Sequence, residues 1–419
     1  MKRTRNTLRL AAVASASALV LAACGGGGGS DDEAGDSTEI PEGDGVLTIG
    51  ALLPQTGDLA FLGPPEFAGV DLAIQEINEA GGVLGQEVKG VKADSGDGTP
   101  NIAPGETDKL LNANADVIVG AAASGVSLAV IDKIVGAGVL QISPANTSTT
   151  FDEYDDKGLY FRTAPSDILQ GAVMANLLAE DGAQNVAILA RQDAYGEALS
   201  DQIEKVFTDA GGEVGAKVLY DANASTFGSE IQEVANAKPD AVVLVAFNET
   251  TKIIPELISA GVGPQDVQTY FVDGNTADYS GDLPPGTLEG VRATYPGAEL
   301  SDDLRQRLLS VDPNLDSFTY GPESYDATIL VALAAIAAEN DSGQAIASKM
   351  QDVSSGGTKC TTFAECKELL EQGEDIDYDG VSGPIEFGDT GSPTAASIGI
   401  YQYKADNTFE PVEFKEGQI

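Results

Sequence analysis

The sequence predicts an α/β protein of two lobes, each built on a mostly parallel sheet covered by helices. Short apolar runs alternate with helical patterns along the body of the chain, the pattern of a parallel sheet with helices on both faces. The alternation restarts after Pro165, giving two units of similar size. A C-terminal stretch follows both units, so the lobes share it through several crossovers. Such an architecture places a cleft between the lobes at the carboxyl ends of the strands, where ligands bind.

In the first unit, residues 46–53 form an unbroken apolar run and read as a buried strand. Residues 66–80 place Phe67, Val70, Ile74 and Ile77 on one helical face, and Gly81-Gly82 ends that helix. Within 99–114, Pro104-Gly105 interrupts an otherwise helical pattern and leaves its start open. Residues 116–120 and 139–143 read as strands with a helix at 127–135 between them. In the second unit Asp167 suits the N-cap of a helix reaching residue 180. A strand at 185–190, a helix from Tyr195-Gly196 to 210, a strand at 241–246, a helix at 250–260 and a strand at 269–272 follow. The pattern changes at 290–296. Helices at 301–311 and 325–339 come next, and strands at 384–387 and 397–403 close the chain.

The N-terminus has the character of an export signal. Lys2, Arg3, Arg5 and Arg9 precede an apolar stretch at 10–23 that is too short to span a bilayer. It ends in Leu21-Ala22-Ala23-Cys24, which resembles the bacterial lipobox, so residues 1–23 are expected to be removed and Cys24 to carry lipid. A chance cysteine behind an ordinary cleaved signal is the alternative. Residues 24–45, with five consecutive glycines followed by Ser30-Asp31-Asp32-Glu33, read as a flexible linker reaching roughly 25 Å on average.

The net charge is −43, and loss of the leader's basic residues makes it more negative still. That sign argues against nucleic acid and anionic lipid surfaces as partners. It agrees with solubility outside the cell and is compatible with a salty habitat. In an oxidising compartment Cys360 and Cys366 read as one structural disulfide. The chain has no histidine, so a metal site lacks ligands and no cofactor is expected. Without histidine or a Gly-x-Ser-x-Gly elbow, the common hydrolase chemistries lack their parts.

Leu53-Pro54-Gln55-Thr56-Gly57, Ala80-Gly81-Gly82-Val83-Leu84-Gly85, Ile142-Ser143-Pro144-Ala145-Asn146-Thr147, Phe161-Arg162-Thr163 and Asp193-Ala194-Tyr195-Gly196 occur in order. With these segments the chain resembles the extracytoplasmic solute-binding proteins of branched-chain amino-acid-type ABC importers, the leucine/isoleucine/valine-binding family. The resemblance implies a type I periplasmic-binding fold: two Rossmann-like lobes, three crossovers, a ligand cleft between the lobes and hinged closure. Its lobe boundaries would fall at 46–164 and 294–388 for the first lobe, and 165–293 and 389–419 for the second. It implies a monomer that delivers an amino acid, or a related amide, to ABC permease subunits from the outer face of the cell membrane.

The resemblance also implies site residues. Ser124, with Gly125, and Ala145, Asn146 and Thr147 would hold a ligand carboxylate at helix starts. Plain helix capping is the other reading of Ser124 and Thr147. Tyr195 would line the cleft, although it also suits a packed aromatic beside a turn glycine. Asp273 would hold the ammonium, with Asn275 and Glu249 as alternatives, and Phe247 would face the cleft. The family's first-lobe aromatic aligns with Leu62, beside Phe61, which leaves the side-chain preference open. A ligand-sensing receptor module of the same fold is the competing function.

Overall fold

The apolar run after residue 46 becomes β1 (Thr48–Leu53), buried along its whole length. Around it stand β2 (Lys89–Asp94), β3 (Val117–Gly120), β4 (Leu140–Ser143) and β5 (Tyr160–Arg162). All are parallel, in the order β2-β1-β3-β4-β5. The computed structural model describes residues 40–99 and 101–419. The export signal, Cys24 and the glycine-rich part of the linker lie outside the described residues.

The second sheet holds β6 (Asn185–Arg191), β7 (Glu213–Tyr220), β8 (Ala241–Val245), β9 (Gln268–Phe271) and β10 (Arg292–Pro296) as parallel strands. A small parallel pair, β11 (Thr358–Cys360) and β12 (Ile376–Tyr378), lies outside both large sheets. The antiparallel strands β13 (Ala395–Tyr403) and β14 (Phe409–Gln418) complete the second sheet in the order β14-β13-β10-β9-β8-β6-β7.

Helices α1 (Gly63–Glu79), α2 (Ala103–Asn112) and α3 (Ser124–Gly136) cover the first sheet. Helices α4 (Asp167–Glu180), α5 (Ala194–Asp209), α6 (Gly228–Asn236) and α7 (Thr250–Ser259) cover the second. Helices α8 (Asp302–Val311) and α9 (Gly321–Ala338) return to the first lobe. The fold is thus two α/β lobes joined by three crossovers, as expected.

Several boundaries differ from the sequence reading for identifiable reasons. Pro104, which the sequence pattern presents as an interruption, sits in the first turn of α2, where a missing N–H costs nothing, and Pro64 opens α1 in the same way. Ser166, not Asp167, caps α4, its hydroxyl accepting from the Ile168 N–H at 3.4 Å. The expected strand at 384–387 contributes only an isolated bridge from Phe387 to Pro393. The final hairpin is instead β13 and β14. The first-lobe segment expected to begin at 294 begins after Pro296, because β10 lies wholly in the second sheet.

Arg162 binds the crossovers together. Its side chain is fully buried where β5 leaves the first lobe. It donates from Nε to Ser392 Oγ at 2.9 Å and from Nη2 to Asp152 at 2.5 Å. Nη1 donates to the Ser148 carbonyl at 2.9 Å, and the Arg162 backbone N–H donates to the Gly391 carbonyl at 3.0 Å. The first and third crossovers are therefore pinned at one charged side chain.

Helix α9 is buried from Gly321 to Ala335; its second half is apolar all round, while its first turns carry buried polar residues. It lies against α1 at Gly69, where a methyl group would stand 2.2 Å from the Gly321 carbonyl oxygen. This close approach brings two acidic first turns together. Glu66 is wholly buried, and neither of its carboxyl oxygens has a hydrogen-bond partner. Burial pushes the nearby Glu323 up to about 8. Burial, then the Glu323 charge, holds Glu66 well above the usual carboxylate range.

A carboxyl whose pKa is higher folded than unfolded costs stability as pH rises above the unfolded value. For Glu323 that cost develops from about 4.5 up to about 8 and is constant above. Glu66, raised by burial and by the Glu323 charge, carries a cost of the same sign. Glu66→Gln should therefore gain stability relative to the native chain as pH rises from 4 to 8.5, as read from urea midpoints. A difference independent of pH would contradict this account.

Candidate functional site

The strands of both lobes point their carboxyl ends at one cavity between the lobes. Leu59, Leu62, Ala122, Ala123, Ser124, Ala145 and Tyr320 line it from the first lobe. Tyr195, Phe247, Asp273 and Gly274 line it from the second.

The first-lobe wall is the start of α3. Ala123 occupies the N-cap position, and no side chain caps the helix. The Val126 and Ser127 N–H groups donate to the Ala123 carbonyl at 3.1 Å, so the start of the helix offers the cavity the positive end of its dipole beside Ser124. Gly120 ends β3 at φ 125°, where an added methyl would lie 2.0 Å from the Leu52 carbonyl oxygen. Only glycine lets the chain turn there toward α3.

The neighbouring loop after β4 is held rigidly. Ser143 Oγ donates to the Ala121 carbonyl at 2.7 Å and accepts from the Asn146 N–H at 2.9 Å and the Ala145 N–H at 3.2 Å. Asn146 Nδ2 donates to the carbonyls of Ala121 and Ala122 at 3.0 and 2.7 Å, while its Oδ1 accepts from Tyr160 at 2.9 Å. Asn146 is thus committed to positioning the α3 loop and does not line the cavity. Gly125 is exposed and also stands off the wall. Thr147 is fully buried behind the wall, its hydroxyl unpaired next to the Asp167 carboxyl.

The second-lobe wall centres on Asp273, directly after β9. Its carboxylate accepts from Tyr195 Oη at 2.6 Å, Gln170 Nε2 at 3.0 Å and Tyr320 Oη at 2.8 Å. Burial raises its pKa, and these three hydrogen bonds oppose the rise. Burial and then the Asp273 charge raise the Tyr195 and Tyr320 hydroxyls well above the usual range, so both stay protonated as donors.

Asp167, in the first turn of α4, adds a second buried carboxyl with both oxygens unpaired. Burial, then the Asp273 charge, pushes it well above the usual range. Gln170 Oε1 is also buried and unpaired. Among the described residues no ion pair reaches Asp273 or Asp167. Asp167 and Gln170 stand behind the cavity lining, so the acceptor that faces the cavity is Asp273.

The expected alternatives to Asp273 have other duties. Glu249 is fully buried and accepts from Arg191 at 3.0 Å and Tyr220 at 2.8 Å. Asn275 accepts from the Val272 N–H at 2.9 Å and donates to the Leu244 carbonyl at 3.1 Å, which fixes the loop carrying Asp273. The Arg191 guanidinium lies 3.3 Å from the Phe247 ring centre, and Phe247 in turn stacks on Tyr195 at 5.4 Å. A run of contacts from Glu249 through Arg191, Phe247 and Tyr195 thus stiffens the acceptor wall from behind.

The sequence reading did not assign Leu59, Gln170 or Tyr320 to the site, and took Asp167 only as a cap. The adjacent Ser166 could have signalled that Asp167 was free for another task. Tyr320 sits in an irregular segment between helices, where no periodicity marks it. Cys360 and Cys366 are disulfide-bonded, far from the cleft lining, with Cα atoms 5.4 Å apart. Nearby, Lys367 donates to the Ala80 and Gly82 carbonyls at 3.0 Å and so caps the end of α1.

Two α/β lobes, a pinned hinge and a buried polar cleft between them define a binding protein for a small solute. A profile of the periplasmic binding protein family matches residues 46–408. The chain belongs to that family, in its type I, branched-chain amino-acid transporter form, which is extracytoplasmic, and it is a solute-binding protein rather than an enzyme.

The chain is 29% identical over 359 residues to a chemotactic signal transduction system substrate-binding protein of Halobacterium salinarum, covering 81% of this chain and 83% of the relative. It is 29% identical over 265 residues to a leucine-, isoleucine-, valine-, threonine- and alanine-binding protein of Pseudomonas aeruginosa, covering 61% of this chain and 68% of the relative. Its fold is similar to that of Streptococcus pneumoniae LivJ in complex with isoleucine, with TM-score 0.72, 20% identity, and 89% and 100% of the two chains covered. A Rhodopseudomonas palustris solute-binding protein in complex with benzoate is similar at TM-score 0.71 and 18% identity, with 90% and 98% covered. Among the described residues no helix is long and apolar enough to cross a membrane.

Removing one partner of a buried ion pair leaves an uncompensated charge. Arg191→Ala would expose Glu249 to that cost and is expected to lower stability by about 3 kcal/mol, measured by denaturant unfolding. A loss below about 1 kcal/mol would show that the pair adds nothing to the wall behind Tyr195.

Proposed function

We propose that this chain captures an amino acid outside the cell and delivers it to the permease of an ABC importer, tethered to the membrane through lipid on Cys24. The observation that carries the reading is a complementarity across one cleft. A buried acceptor, Asp273, that no ion pair reaches among the described residues stands on the second lobe, and an uncapped helix N-terminus stands on the first. An α-amino acid answers both: its ammonium meets Asp273, and its carboxylate meets the first turn of α3 and Ser124. An aromatic acid without an amine would answer only the second. Leu59, Leu62, Ala122 and Phe247 offer apolar surface to the side chain, which favours a small aliphatic residue or a related amide. The isoleucine in the LivJ complex and the aliphatic ligands named for the Pseudomonas relative agree with this reading.

In operation no bond is made or broken. Ligand that touches both lobes favours the closed arrangement by its differential affinity, and the closed form docks on the permease. The chemotactic role named for the Halobacterium relative favours a second reading, in which the closed form signals to a receptor. Loss of amino-acid uptake on deletion of the gene supports the first, and loss of a behavioural response with uptake intact supports the second.

A thermal-shift screen against amino acids, amides, urea, polyamines, short peptides and benzoates tests the ligand class. Ligand at about 100 times its dissociation constant stabilises by about 2.7 kcal/mol, enough for a clear rise in melting temperature. The rise is expected with a small aliphatic amino acid and should be absent in Asp273→Ala, whose own unfolding transition stays cooperative. A rise with benzoates and none with amino acids would contradict the reading.

A further inference from the structure

Tyr320 reaches Asp273 from the opposite lobe. It precedes α9, which packs into the first-lobe core, whereas Asp273 follows β9 in the second sheet. The hydroxyl donates to Asp273 Oδ2 at 2.8 Å, while Tyr195 and Gln170, both of the second lobe, donate to Oδ1. Asp273 therefore has donors from its own lobe without Tyr320. The Tyr320 ring also meets Tyr295 of β10 edge-on, with centroids 6.2 Å apart.

Two further observations set this residue apart. Tyr320 holds φ 59° and ψ 6°, a left-handed conformation that a bulky side chain rarely adopts and that persists only where the surroundings impose it. With the hydroxyl on Asp273, the cavity encloses about 20 Å³, the space of roughly one water. An amino acid and the Tyr320–Asp273 bond cannot occupy the cleft together at this degree of closure.

We propose that Tyr320 is a built-in competitor for the amine site: its hydroxyl takes Asp273 across the cleft and closes the lobes on each other in an arrangement that excludes ligand. The share of protein held in that way is unavailable for binding, so the apparent affinity is weakened by the same factor. The inference rests on the assignment of the ligand's ammonium to Asp273. The cross-cleft bond is charge-assisted and dry, which makes it strong enough to hold two hinged bodies together. A ligand ammonium replaces it with a full positive charge at the same carboxylate.

Tyr320→Phe and Tyr195→Phe, each removing one oxygen from the same carboxylate's partners, separate this role from simple contact with ligand. Isoleucine serves as the probe, with affinity read by calorimetry and compactness without ligand by small-angle scattering. Tyr320→Phe should bind isoleucine about 3-fold or more tightly, the factor for two-thirds of the protein self-closed. Its radius of gyration without ligand should exceed that of the native chain. Tyr195→Phe should bind more weakly. Unchanged or weaker binding by Tyr320→Phe would overturn the proposal. If the native chain binds no amino acid, the assignment of the amine fails and scattering alone decides. An expanded Tyr320→Phe would then uphold the competitor, and equal radii would overturn it.

Discussion

A carboxylate kept out of water without a cation is the constraint on which this molecule turns. Asp273 stands at the end of a buried strand, and among the described residues the side-chain donors that reach it are neutral. A second buried acid, Asp167, lies close by, and burial and the Asp273 charge push it toward its neutral form. Neutral donors soften the cost of burying an anion but do not supply its counter-charge. The surrounding features follow from keeping that site dry and fixed. Asn275 clamps the loop, Gly274 lets the Phe247 ring approach where a methyl would stand 2.7 Å from it, and Phe247 holds Tyr195 in place.

Such a site needs two bodies, because a buried charge can be reached only if its cover lifts away. Three crossovers join the two bodies, and Arg162 ties the first and third of them together. Its hydrogen bonds join Ser392, Asp152 and two backbone carbonyls near the strand end, so the crossovers cannot drift apart while the lobes turn. On the opposite wall the uncapped start of α3 is equally dependent on closure. The positive end of its dipole meets water when the cleft is open and gains from an anionic or hydroxyl partner when it is shut. Both walls thus gain from the same kind of ligand, one with opposite charges close together.

Much of this was legible in the sequence. Buried parallel strands such as β1, β3, β8 and β9 are continuous apolar runs, and the glycine and proline punctuation marks the helices between them. The strands without an apolar signature include three sheet edges, β2, β7 and β14, as well as the interior β10 and the short pair β11 and β12. Lys89–Asp94, Glu213–Tyr220 and Phe409–Gln418 carry charged residues among their outward positions, which discourages pairing with other chains, and so they lack an apolar signature. In the site, Ser124, Ala145, Tyr195, Phe247, Asp273 and Leu62 were found and do meet in space. Asn146 was misjudged because a buried side-chain amide that pins backbone carbonyls looks, in sequence, the same as one that meets a ligand. Tyr320 and Gln170 were missed because each acts from far along the chain on a carboxylate that only folding brings near.

The most direct measurement compares matched ligands that differ only in the amine. Calorimetric titration of the purified protein with isoleucine and with 3-methylpentanoic acid, which keeps the carboxylate and the side chain, isolates the demand of Asp273. The account predicts binding of isoleucine and a loss of at least about 100-fold for the acid, the scale of a buried charge-assisted contact. Comparable affinities for the two would show that Asp273 does not meet an ammonium, and that the central claim is wrong.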